Sequence, residues 1–195
     1  MSRRVVVTGI GVISPVGIGK DNFWNSLMAG KSGIGPITHF DPAEYSTRIA
    51  GQVNDFVPEN FLDKKEAKRM DRNTQFSIAA SKLAIEDSGI DLEKIDKRRA
   101  GVIVATGIGG VSTMHDQYET LFAKGPNRIS PFFVPMMIAN MAAGQTSIQF
   151  GFQGPCLCIV TACTGGTNAI GEATRKIQHG DADMMLAGGA EAAIC

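Results

Sequence analysis

Residues 101–106, GVIVAT, are apolar up to a closing threonine. A strand with one wet face would show a polar residue at every second position, so this run predicts a strand covered on both faces, central in a parallel sheet. Such a strand needs helices above and below it, and the rest of the chain supplies them. Apolar strand-like runs and glycine-bounded helical stretches alternate from end to end, the pattern of an α/β fold with a buried, largely parallel sheet. Further strands are expected at 4–8, 157–162 (LCIVTA) and 183–189 (DMMLAGG). Helices are expected at 21–29, with Phe23, Trp24, Leu27 and Met28 on one face, and at 71–87, where Phe76, Ala79, Ala80 and Leu83 recur at helical spacing. Two more are expected at 111–123 and 166–179. Within 136–151 a helix carrying Ala139, Ala142, Ala143 and Gly144 has almost no bulk on part of its surface, so another element should pack close to it. Residues 31–60, rich in Gly, Pro, Asp and Asn, read as irregular.

Bulk properties narrow the function. With 195 residues and 44% hydrophobic content the chain can bury one sizeable core, so residues 1–195 are read as one domain. Nineteen basic and nineteen acidic residues cancel, so no global field draws the chain to nucleic acid or an anionic membrane, and a charge-guided partner must use a local patch. No apolar run reaches the length of a membrane span. Arg3 and Arg4 lead into a short strand rather than a signal-peptide core, and a cytoplasmic location is expected. Cys156, Cys158, Cys163 and Cys195 crowd the last fifth of the chain, which is no disulfide framework, and no histidine stands at zinc-ligand spacing; no metal is expected.

Two glycine motifs could suggest a nucleotide. Gly9-x-Gly11 follows an expected strand, but Ser14 stands at the third glycine position, Pro15 follows, and no acidic strand end comes some twenty residues later. NSLMAGKS (25–32) has Asn25 where a phosphate-binding loop needs glycine, and it follows a helix. No nucleotide cofactor is expected.

The strongest candidate is IVTACTGGTNAIGEA, in which an apolar strand runs into Cys163, a turn of small residues and then a helix. A thiol at a helix N-terminus meets aligned peptide dipoles that favour a thiolate and can hold an oxyanion. Ala162, Thr164, Gly165 and Gly166 would let an acyl group approach. A free cysteine also commonly fills a core gap, and spacing alone leaves both readings open. Cys156, Cys158 and Cys195 read as structural. Of the histidines, His39 lies in a loop, His115 on a polar helix face and His179 at a helix C-terminus.

From Gly154 to Ile194, GPCLCIVTACTGGTNAIGEATRKIQHGDADMMLAGGAEAAI resembles the nucleophile region of the β-ketoacyl-acyl-carrier-protein synthases, the condensing enzymes of fatty-acid synthesis, especially the type II enzyme. RRVVVTGIGVISPVG, KRMDRNTQFSIAASKLAIEDSG, GVIVATGIGG and ISPFFVPMMIANMAAGQ are similar to that family in collinear order. The resemblance implies a thiolase-like fold, of which this chain would be one incomplete half of a five-layer duplicated architecture, with a mixed, mostly parallel sheet flanked by helices. It implies a homodimer formed through this half, or pairing with a separate C-terminal half, and a decarboxylative Claisen condensation of acyl and malonyl thioesters of acyl carrier protein. Cys163 matches the nucleophile, its amide half of an oxyanion hole. Ile108 matches the acyl-pocket gate, with Phe133 and Met137 in the lining. Lys64, Lys65, Lys68, Arg69 and Arg128 lie where relatives hold the acidic carrier, although such a run also reads as a solvated helix flank.

The match departs in two places. The usual motif has a small residue and then Ser or Thr after the cysteine, whereas Thr164 is followed here by Gly165 and Gly166, which is expected to loosen the turn. The two histidines, the lysine and the second oxyanion donor of relatives fall in a C-terminal half beyond this sequence, so the 195 residues alone are expected not to condense. A noncatalytic chain-length subunit, whose relatives typically lack the cysteine, and a polyketide-type ketosynthase are the alternative readings.

Overall fold

The computed structural model describes residues 3–195. Its elements, in chain order, begin with the strands β1 (Ile13–Ser14) and β2 (Gly17–Ile18), helix α1 (Lys20–Met28), and the strands β3 (Ile34–Pro36) and β4 (Ile49–Gly51). Helices α2 (Lys64–Ala67) and α3 (Arg72–Ser88) lead to strand β5 (Ala100–Ala105), then helices α4 (Val111–Lys124), α5 (Phe133–Met137) and α6 (Met141–Phe150). Strand β6 (Cys156–Leu157), helix α7 (Gly165–His179) and strand β7 (Met184–Gly189) complete the chain.

The expected central strand is central. β5 lies between β6 and β7 in a three-stranded parallel sheet, paired from Ala100 opposite Met184 to Ala105 opposite Gly189. Every residue of β5 is buried, and its two faces serve different clusters. Ala100, Val102 and Val104 meet Ala142, Ala143 and Phe152 on the α6 side, while Ile103 and Ala105 meet Ala169 and Ala173 of α7. Burying Val102 and Ile103 fully contributes about 1.5–3 kcal/mol each. The small residues of α6 thus let β5 approach, and α3 packs close as well, its Ser77 hydroxyl 2.9 Å from the Thr146 hydroxyl in a buried contact.

Several expected boundaries move. The strand expected at 4–8 is absent, because residues 3–12 find no ladder partner, and Val6 and Val7 stay exposed. This segment is tied sideways instead: Arg3 pairs with Asp183, and the Ile10 N–H donates to Asp87. Gly9 and Gly11 lie so close to α3 that an added Cβ would sit 2.1 Å from the Ala84 carbonyl oxygen and 1.8 Å from that of Ala80. The opening glycines therefore serve backbone-to-helix approach. The strand expected at 157–162 pairs only through Cys156 and Leu157, both exposed, before the chain leaves β5. Trp24, Leu27 and Met28 of α1 are exposed rather than packed as the helix pattern suggested. The helix expected within 136–151 is broken into α5 and α6, since Ile138 is extended with ψ 141°. No helix among the described residues is long and apolar enough to cross a membrane.

Candidate active site

Parallel strands end on one side of a sheet, and the loops that leave them gather there, the usual place for ligands in α/β folds. Three such loops meet at the carboxyl edge of this sheet. The first, Thr106–Gly110, leaves β5. The Glu191 carboxylate accepts from the Thr106 hydroxyl at 3.1 Å and from the Gly107 N–H, while the Thr106 hydroxyl oxygen accepts from the Gly109 N–H at 3.1 Å. Gly109 takes φ 89°, a conformation suited to glycine, and its Cβ would fall 2.7 Å from the Met137 carbonyl oxygen. The Gly110 N–H donates to that same carbonyl at 2.9 Å, which sets the Ile108 turn against the end of α5.

The second loop carries Cys163. Its main chain is tied to the first loop, since the Thr106 N–H donates to the Ile159 carbonyl at 3.3 Å, and it then enters a 3-10 turn over Ala162–Thr164. Ala162 has φ 50°, the sole non-glycine residue with positive φ among the described residues. Holding an alanine there costs on the order of 1–3 kcal/mol and persists only where surrounding bonds impose it. Those bonds converge on Thr161: the Thr164 hydroxyl donates to its carbonyl at 2.8 Å, the Thr164 N–H to the same carbonyl at 3.2 Å, and the Asn168 amide to its hydroxyl at 2.8 Å. Cys163 is exposed, and α7 opens two residues later at Gly165. The sulfur thus sits beside a helix start, but the residues before it are not the covered strand that the sequence suggested.

The expected loosening by Gly165 does not occur. Gly165 is helical, with φ −52° and ψ −50°, and is buried; a Cβ there would lie 2.8 Å from that of Ala105. The glycine lets α7 sit against the end of β5. The end of β7 closes the edge, with Gly189 against Gly166, and the third loop, residues 190–195, leaves from there.

Beside the first loop lies an apolar cavity of about 380 Å³, lined by Ile108, Val111, Met114, Met137 and Ile138. Ile108 and Met137, singled out from sequence, are brought together there. Phe133 lies half-buried in α5 outside that lining. Val111, Met114 and Ile138 were missed, although the spacing of the first two on one helix was a readable signal. A separate cavity of about 310 Å³ is lined by His39, Arg72 and Glu191, and there the His39 ring lies 2.9 Å from the Ile194 carbonyl.

Lys64, Lys65, Lys68, Arg69 and Arg128 are all exposed, and none forms an ion pair among the described residues. Arg69 lies over the Phe132 ring at 4.8 Å. Desolvation raises the Cys158 thiol, which donates to the Ala139 carbonyl. His115 faces Glu119 at 3.5 Å on α4. His179 ends α7, about 20 Å from its start at 1.5 Å per residue, too far to serve Cys163 directly.

Among curated relatives, the 3-oxoacyl-[acyl-carrier-protein] synthase 2 of Synechocystis sp. is 50% identical over 192 residues, covering 98% of this chain and 46% of its own length. The chain therefore spans about half the length of the curated relatives it matches. Among solved structures, the ishigamide ketosynthase/chain length factor superposes with a TM-score of 0.90 at 30% identity, over 97% of this chain and 47% of that one. A type II PKS acyl-carrier protein in complex with its ketosynthase bound to the hexaketide gives 0.80 at 25% identity, over 96% and 50%. Residues 2–195 match the family model for the β-ketoacyl synthase N-terminal domain. With its thiolase-like α/β frame and a cysteine-bearing turn at the carboxyl edge of the sheet, the chain belongs to the β-ketoacyl synthase family.

Proposed function

We propose that the protein is a 3-oxoacyl-acyl-carrier-protein synthase of fatty-acid biosynthesis in which Cys163 is the acyl-accepting nucleophile. The observation that carries this reading is the Cys163 turn: an exposed sulfur, a neighbour held at φ 50°, and a helix start two residues away. In the first step the Cys163 thiolate attacks the acyl thioester carbonyl, the carrier's thiol leaves, and an acyl-cysteine remains. Loss of CO₂ from malonyl carrier protein then leaves a carbanion that attacks this carbonyl. The Cys163 thiolate departs, and the β-ketoacyl product is two carbons longer. The Cys163 N–H would hold the oxyanion in both attacks.

The apolar cavity behind Ile108 suits the acyl chain, and Phe133 would act from beside it. The five unpaired cations suit a weak, salt-screened contact with an acidic carrier protein. Among the described residues no histidine is hydrogen-bonded to Cys163, so stabilisation of the carbanion falls to groups outside this set, from a C-terminal half or a partner chain. A cytoplasmic homodimer is the assembly this reading favours.

Incubation of the protein with acyl-carrier protein, followed by intact mass, tests the proposal. An acyl adduct is expected on Cys163 and none on a Cys163→Ala variant. No adduct on the unsubstituted protein would favour a binding-only chain-length subunit, and an adduct surviving Cys163→Ala would remove the assigned nucleophile.

A further inference from the structure

One carboxylate is buried at a junction the condensation chemistry does not use. Asp71 is 3% exposed and caps α3, its Oδ1 accepting from the Asn73 N–H at 3.2 Å. Its Oδ2 reaches a different helix, accepting from the Thr113 N–H at 2.8 Å and from the Thr113 hydroxyl at 2.7 Å. α4 has no side-chain cap of its own, because the residue at its N-cap is Gly110. Asp71 thus supplies to α4, from another element, the acceptor that a helix start ordinarily takes from its own cap residue. The fit is tight: a Cβ on Gly110 would lie 3.0 Å from that of Asp71.

What this junction holds is one wall of the apolar cavity. Ile108 lies three residues before Val111, and Val111 and Met114 flank Thr113 on the first turn of α4. On its other side Asp71 continues directly into the basic segment, which packs through Leu62, Ala67 and Met70 on Ile78 of α3. The Gln75 amide donates to the Ala67 and Met70 carbonyls at 2.9 and 3.2 Å, so segment and helix form one body.

We infer that Asp71 is a positioning residue that fixes the Ile108 turn and the α4 wall relative to the basic segment, and so sets which acyl chains the cavity accepts. The inference rests on the acyl-accepting reading of Cys163. A charge-assisted hydrogen bond between buried groups is among the stronger single contacts. Its loss would let the wall shift without touching the sulfur.

The test compares Asp71→Asn, Thr113→Val and the conservative Thr113→Ser. Short-chain and long-chain acyl-carrier thioesters compete for Cys163, read by intact mass, and backbone hydrogen exchange is followed in parallel. The long-to-short acylation ratio should change by about tenfold in Asp71→Asn, the scale of one lost bond to a charged group. It should change in the same direction in Thr113→Val and stay put in Thr113→Ser. Exchange should quicken at residues 107–114 while β5 stays protected. An unchanged ratio beside a lower melting temperature would overturn the inference and leave Asp71 a stabilising residue only. If the unsubstituted protein takes up no acyl group, the reading of Cys163 fails instead, and exchange at 107–114 alone decides whether Asp71 positions the wall.

Discussion

Replacing Gly165 by alanine should damage the protein, whereas the same change at Gly166 should not. A Cβ on Gly165 would meet that of Ala105 at 2.8 Å, and Ala105 is 1% exposed with no room to recede. Carbon atoms rest at about 3.5–4.0 Å, so α7 and the strand end must separate by roughly 1 Å. Overpacking of this kind costs about 1–3 kcal/mol, and at about 2–4 °C per kcal/mol for a domain of this size the melting temperature should fall by about 2–12 °C. Cys163, the proposed nucleophile, lies two residues before the displaced helix, and a misplacement of about 1 Å can cost about 10²-fold in rate. At Gly166 the nearest heavy atom, the Gly189 nitrogen, lies 3.6 Å from the added Cβ, which is ordinary contact, and alanine's helix preference should make that variant neutral or slightly more stable. Because the missing Cβ of Gly165 is what makes room for that of Ala105, the two residues read as a matched pair. Adding Ala105→Gly to Gly165→Ala should recover most of the lost acylation rate. Thermal melts and single-turnover acylation measure both effects. The reasoning fails if Gly165→Ala melts and acylates like the unsubstituted protein, or if the double variant is no better than the single one.

Two further expectations concern other parts of the fold. Gly11→Ala, which would place a methyl 1.8 Å from the Ala80 carbonyl oxygen, should lower stability to denaturant by about 3 kcal/mol, and an unchanged midpoint would show that the N-terminal segment does not depend on this approach. Arg99 and then Arg3 hold the Asp183 carboxyl down at about 2 through direct hydrogen bonds. A depressed carboxylate stabilises the fold above its unfolded value of about 3.9 and loses that contribution as pH falls towards 2. Asp183→Asn should therefore flatten this acid limb in pH-dependent melts while lowering stability modestly at neutral pH; an acid limb unchanged in slope would refute the assignment.

Much of the frame was legible because burial on both faces leaves a compositional trace. GVIVAT could be read as the central strand without knowing its neighbours. Helix α3 could be placed because Phe76, Ala79, Ala80 and Leu83 recur at helical spacing. Strands whose pairing depends on distant chain were not legible: Val6 and Val7 look like strand residues, yet here no ladder reaches them. The same limit applied to the site. Cys163 stood out through small neighbours ahead of a helix, but alanine gives no hint of the φ 50° at Ala162, which arises from bonds gathered on Thr161. Asp71 carried no signal in the sequence, since its hold on Thr113 spans 42 positions and leaves no local mark.

Because Thr164 and Asn168 both fasten onto Thr161, the loop bearing the sulfur has little freedom of its own and travels only if the whole α7 rod travels. If Cys163 is the acyl acceptor proposed above, a stationary thiol obliges its substrates to do the moving: each thioester would have to be delivered on an arm long enough to reach a fixed point.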